Sequence, residues 1–163
     1  MQPGVLYKER TSFAWWVHVL IWGCLSIAVF AGLAGGGEGD VLQRSAAPVG
    51  IGLSIPLLFY GVFGFLNTEV SKTGIRLSWG PFGFIKKSIS FESITKVEAV
   101  TYRPLAEFGG WGIRGMGKKK AWTVRGNRAV RMEMKGEKVF YLGSDRPERI
   151  AEWVRSADRK KEA

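Results

Sequence analysis

Two stretches of this chain interrupt an otherwise mixed pattern of apolar and polar positions. Residues 13–33 and residues 46–66 each run for 21 positions without an Asp, Glu, Lys or Arg. Neither shows the polar stripe of an amphipathic helix, so each reads as uniformly apolar. At ~1.5 Å rise per residue, 21 helical residues reach about 31 Å, against ~30 Å for the hydrocarbon core of a bilayer. The pattern predicts two transmembrane helices over 13–33 and 46–66, joined by a short glycine-rich loop. Trp15 and Trp16 stand at the start of the first run, where aromatic belts sit. In the second run Ala46, Gly50, Ser54 and Gly61 fall on one helical face, a small-residue stripe expected to pack against the first helix.

From Asn67 onward the period changes. Ile75, Leu77 and Trp79 alternate with Arg76 and Ser78, the two-residue period of a strand with one buried face. Gly80-Pro81-Phe82-Gly83 follows as turn chemistry. Further strands are predicted over 84–91, 95–102, 121–125, 129–134 and 138–142, with turns at 125–128 and 135–137. The last element reads as a helix. Asp145 and Glu148 stand at capping-box spacing, and Ile150, Trp153, Val154 and Ala157 form an i, i+3, i+4, i+7 apolar stripe. Element order gives an α+β membrane protein: a two-helix transmembrane hairpin over residues 1–66, then a pleckstrin-homology-like (PH-like) antiparallel β-barrel or sandwich of about seven strands with a C-terminal capping helix over 67–157, and a charged tail over 158–163.

Charge sharpens the division. The first 66 residues hold three basic and three acidic side chains, so the whole formal charge of +10 arises from Asn67 onward. Lys8 and Arg10 flank the first apolar run, Lys72, Arg76, Lys86 and Lys87 follow the second, and the connecting loop has only Arg44. That distribution places both termini on the cytoplasmic side of a plasma (inner) membrane, as a multi-pass protein. The single cysteine, Cys24, and single histidine, His18, lie in the first apolar run. No disulfide framework or Cys/His metal cluster can be assembled, and the domain after Asn67 has no His or Cys with which to build a usual catalytic constellation. The expectation is a non-enzyme without metal or cofactor.

Residues 108–120 stand out. Gly109, Gly110 and Gly112 shape a loop that carries Trp111 and Arg114 and leads into Lys118-Lys119-Lys120. Glycines permit close backbone approach, and clustered cations suit an anion or an acidic surface. Trp111, Arg114, Lys118, Lys119 and Lys120 are therefore the candidate ligand-, lipid- or partner-binding residues.

The run Tyr102-Arg103-Pro104-Leu105-Ala106-Glu107-Phe108-Gly109-Gly110-Trp111-Gly112-Ile113-Arg114 and the ending Gly143-Ser144-Asp145-Arg146-Pro147-Glu148-Arg149-Ile150-Ala151 resemble bacterial membrane-anchored PH-like domain proteins. Ser93-Ile94 with Val97 resembles their mid-domain strand. The resemblance implies a membrane-anchored PH-like fold and supplies no catalytic or ligand residues. The expected function is a non-catalytic binding or scaffold module that holds a protein partner at the cytoplasmic face. The alternatives are a direct sensor of anionic lipid headgroups through the loop of residues 114–120, and an accessory subunit of a larger membrane complex. No nucleic-acid motif is present, and no nucleic-acid partner is expected.

Overall fold

The computed structural model describes residues 5–34 and 41–159. The glycine-rich connection at 35–40 and the end of the charged tail, 160–163, lie outside the described residues. The chain is α+β, with two sheets and four α-helices among the described residues.

The first strand arises where the sequence pattern offered only a helix flank. β1 (Val5–Ser12) pairs antiparallel with β2 (Phe65–Ser71), and the pair closes at Ser12 opposite Phe65. Helices α1 (Trp15–Ala34) and α2 (Val41–Phe63) therefore leave and re-enter the same end of one strand pair. β2 continues into β3 (Gly74–Trp79) and β4 (Ile85–Ser90), giving a four-stranded antiparallel sheet in sequence order. A single 3₁₀ turn, Phe91–Ser93, leads to the second sheet. That sheet holds β5 (Ile94–Thr101), β6 (Gly112–Arg114), β7 (Lys119–Thr123), β8 (Arg128–Met134) and β9 (Lys138–Gly143), in the order β5-β8-β9-β7-β6. β7 and β9 run parallel; every other pairing is antiparallel. The expected all-antiparallel barrel of about seven strands is corrected to nine strands in two sheets among the described residues, with one parallel pairing. To the six strands placed by the sequence pattern are added the strand of the N-terminal segment, the strand hidden at the end of the second apolar run, and the short β6.

The core lies between the sheets. Leu66, Val70, Ile75, Leu77, Trp79, Val130, Met132, Phe140 and Leu142 project into it from alternating strand positions. Helix α4 (Pro147–Arg159) closes the sandwich with Ile150, Ala151 and Val154, all buried. Trp153, expected in that stripe, is 38% exposed, and the smaller Ala151 occupies the buried position in its place. A second cluster covers the other face of the five-stranded sheet. There Phe108 of the short helix α3 (Pro104–Phe108) stacks edge-on against Tyr102 and Tyr141 at 5.9 and 5.1 Å between centroids.

The transmembrane hairpin is overturned. Among the described residues no helix is long and apolar enough to cross a membrane. With that finding go the membrane and transmembrane character, the multi-pass inner-membrane placement and the assignment of both termini to the cytoplasm. The ends of the apolar runs have other work. The second run stops being helical at Phe63, and its Leu66 is a fully buried strand residue. Helix α2 begins at Val41 instead, so its first turns include Gln43, Arg44 and Ser45. In the first run Phe13 precedes the helix and packs on Phe59 and Trp79, at 5.2 and 6.3 Å between ring centroids. The long absence of charge thus reflects in part a strand core and an aromatic joint. The small-residue stripe is open at two of its positions: a side-chain carbon added at Gly50 or Gly61 would meet nothing within 4 Å. Between the helices His18 stacks on Tyr60, with 5.3 Å between centroids, and His18 Nδ1 shares a hydrogen bond with the Tyr60 hydroxyl. Outward from the hairpin Trp15, Ile27, Phe30, Leu57 and Leu58 are exposed.

Two polar connections tie the hairpin-bearing strands to the rest. Gly80 N–H donates to Phe65 O at 2.8 Å, and Gly80 (φ +72°) lies so close to the end of α2 that an added Cβ would stand 2.6 Å from Gly61 O. Across the molecule, Glu9 of β1 accepts from Ser144 Oγ and from Asp145 N–H, each at 2.7 Å, where the chain turns into α4. The acidic pair expected to form a capping box points elsewhere: Asp145 binds Arg125 at 2.6 Å, and Glu148 receives Arg128 at 2.6 and 2.8 Å. The Glu148 backbone N–H, and then Arg128, hold the Glu148 carboxyl below its ordinary range.

Candidate functional site

The loop of residues 108–120 owes its path to glycine. Gly109 ends α3 in the left-handed conformation (φ 68°), and the N–H groups of Gly109 and Gly110 return to Leu105 O and Pro104 O, each at 3.0 Å. This is a Schellman ending, which satisfies the last carbonyls of the helix and reverses the chain. Gly110 and Gly112 continue with φ of 122° and 115°, bringing the chain into β6. At the far end of the β6–β7 hairpin, Gly115 (φ 95°) lets the strands close, since a Cβ there would stand 2.2 Å from Lys119 O.

Trp111 is half-buried and held in place. Its indole Nε1–H donates to Gly126 O, in the turn between β7 and β8, at 2.8 Å. Arg114 Nε–H donates to Trp111 O at 3.0 Å, which fixes the guanidinium beside the same loop. Among the described residues no carboxylate lies within salt-bridge distance of Arg114.

These residues form one wall of a recess of about 710 Å³. Gly110, Trp111, Gly112, Ile113 and Arg114 face Phe13 and Val17 of the α1 end, Phe59 and Phe63 of α2, Ile85 of β4, and Val124 with Arg125. The recess opens where the two sheets fail to join: β4 ends one sheet, β6 ends the other, and no hydrogen-bonded ladder connects them. Its lining is mainly apolar and aromatic, with two arginines, a composition common in binding sites of this size.

The lysine block is not part of it. Lys118 pairs with Glu137. Lys119 lies 3.0 Å from Glu107 and over the rings of Phe108 and Tyr141, at 4.8 and 5.2 Å. The Arg103 backbone N–H, and then Lys119, lower the pKa of Glu107. Lys120 points to the opposite face of β7, because consecutive strand residues alternate. Of the candidate residues, Trp111, Arg114, Gly110 and Gly112 are brought together, Gly109 ends the helix behind them, Lys118 and Lys119 go to separate carboxylates, and Lys120 lies on the opposite strand face from Lys119.

Sequence reasoning missed Phe13, Val17, Phe59 and Phe63, since apolar runs of that length carry no mark of which residues reach a domain surface. Ile85, Val124 and Arg125 read locally as ordinary strand and turn positions. Compared with known proteins, the chain matches no family model and no characterised protein.

Proposed function

We propose that the chain is a non-catalytic binding module for a protein partner, and that its site is the recess beneath the Trp111–Arg114 loop. The observation that supports this reading is the recess itself: a preformed apolar opening of about 710 Å³ between two unpaired sheet edges, with Trp111 hydrogen-bonded in its wall. Interfaces gain most of their energy from a few apolar or aromatic anchors seated in such openings, ringed by polar groups. Arg114 and Arg125 would supply the ring. The alternative of a lipid-surface sensor acting through the loop of residues 114–120 draws less support, because Lys118 and Lys119 pair with Glu137 and Glu107.

The test is selection of displayed random peptides on the full chain. Enriched peptides should share a large apolar or aromatic anchor and bind Ile113→Asp at least tenfold more weakly. Ile113 is 40% exposed, so the change should leave the melting temperature near that of the parent. Peptides that bind parent and variant alike would remove the recess as the site.

A further inference from the structure

Below the recess, the same open seam holds a second group of side chains that the sequence pattern did not single out. Lys87 lies on β4 opposite Leu77, in register with inward-facing positions, and its ammonium sits 5.1 Å above the centroid of Phe140. Lys120 stands beside Phe140 in the β7–β9 ladder and shares its strand face with the buried Trp122. Lys138 is two residues before Phe140 on β9, hence on that same inward face. Three cations from three strands thus share the inward side of the mouth between the sheets, Lys87 over the Phe140 ring and Lys120 and Lys138 near enough to act on it electrostatically. Among the described residues none of them has a carboxylate within salt-bridge distance. Burial, then Lys120 and Lys138, lower the pKa of Lys87, as expected when like charges gather without a counter-charge.

Surface lysines ordinarily point to water and spread apart. Here strand alternation gathers them at the mouth of the seam, Lys87 half-buried and Lys120 and Lys138 exposed, next to the free edge of β4, whose inward face also brings Ile85 to the apolar recess. A free strand edge offers unpaired backbone groups to an extended segment. We propose that Lys87, Lys120 and Lys138 receive the acidic side chains of an extended partner segment whose apolar anchor occupies the recess. This rests on the reading of the recess as a protein-binding site and adds the chemistry of the partner: Asp or Glu residues to one side of an apolar anchor, lying along β4.

The experiment uses the full chain and the same displayed peptides. Those enriched on the parent should place two or more Asp or Glu beside the anchor. One such peptide, measured by fluorescence anisotropy at low salt, should bind at least tenfold more tightly than its Glu→Gln counterpart. The combined variant Lys87→Gln/Lys120→Gln/Lys138→Gln should abolish that ratio, and Lys138→Gln alone, at an exposed position, should reduce it. A charge-matched variant, Lys72→Gln/Lys86→Gln/Lys135→Gln, should retain it. Equal binding of the acidic and amide peptides to the parent would overturn the proposal, and so would equal loss in both combined variants, which would mean a diffuse field. Apolar peptides without acid enrichment, still sensitive to Ile113→Asp, would leave the recess reading standing while this one falls. Acidic peptides without an anchor would remove the recess reading and, with it, this proposal, and no enrichment at all would also remove both.

Discussion

Removing the Glu9 carboxylate should reveal how strongly the N-terminal strand is bound to the closing helix. Glu9 Oε1 accepts the Asp145 N–H and Oε2 accepts the Ser144 hydroxyl, both at 2.7 Å, while the Tyr7 hydroxyl donates to Oε2 at 3.0 Å. Hydrogen bonds to an ionised acceptor contribute ~1.5–3 kcal/mol each. Asp145 is exposed, and water can replace its partner; Ser144 is buried and has no such substitute. The Glu9→Ala loss should therefore be about 3 kcal/mol, the lower end of the sum of two such bonds. For a chain of this size that corresponds to a fall in Tm of roughly 6–12 °C. Glu9→Gln keeps one acceptor oxygen and turns an NH₂ toward the other donors, and should lose about half as much. Urea unfolding at neutral pH measures both, with an unchanged m-value as the sign that the denatured state is unaltered. A double-mutant cycle with Ser144→Ala should give a coupling of at least ~1 kcal/mol. A Glu9→Ala protein that unfolds within a degree or two of the parent, or strict additivity with Ser144→Ala, would refute the role given to this carboxylate.

Three further outcomes follow from the same geometry. Gly80→Ala should destabilise far more than Gly126→Ala: both glycines have positive φ, but only at Gly80 would the new carbon meet backbone oxygens at 2.6 and 2.7 Å, so Gly126→Ala should cost about 1 kcal/mol and Gly80→Ala several times that in thermal melts. Val154→Asp should unfold the domain by burying an unpaired charge, whereas Trp153→Asp should stay folded, and circular dichroism of the two variants distinguishes this helix orientation from the reverse. Burial, and then the neighbouring Glu9 carboxylate, push the Tyr7 pKa up to about 12. A pKa raised on folding makes a contribution that is complete below the unfolded value of ~10 and is lost as pH rises toward 12. Tyr7→Phe should accordingly flatten the fall in urea midpoint between pH 10 and 11.5, and parallel curves for parent and variant would count against it.

The sequence by itself determined the elements whose signals are local. Alternation of Ile75, Leu77 and Trp79 specifies β3 and its inward face, and the turn residues between β7, β8 and β9 set those strands within a residue or two. The spacing of Ile150 and Val154 specifies the closing helix, and the glycines after Phe108 mark a loop with unusual backbone angles. Tertiary structure decided everything that depends on distant partners. Residues 5–12 are too polar to announce a strand, and become one because β2 offers its edge. Uniformly apolar runs hide where a helix ends, so Leu66 and Phe13 read as membrane residues although one fills the β core and the other caps it. Three consecutive lysines look like one patch in sequence, but strand alternation and the carboxylates of Glu107 and Glu137 send them apart. Lys87, Lys120 and Lys138, separated by 33 and 18 positions, converge only because two sheets leave a seam open between β4 and β6. Periodicity records which face of an element is apolar; it holds no information about which other element that face will meet.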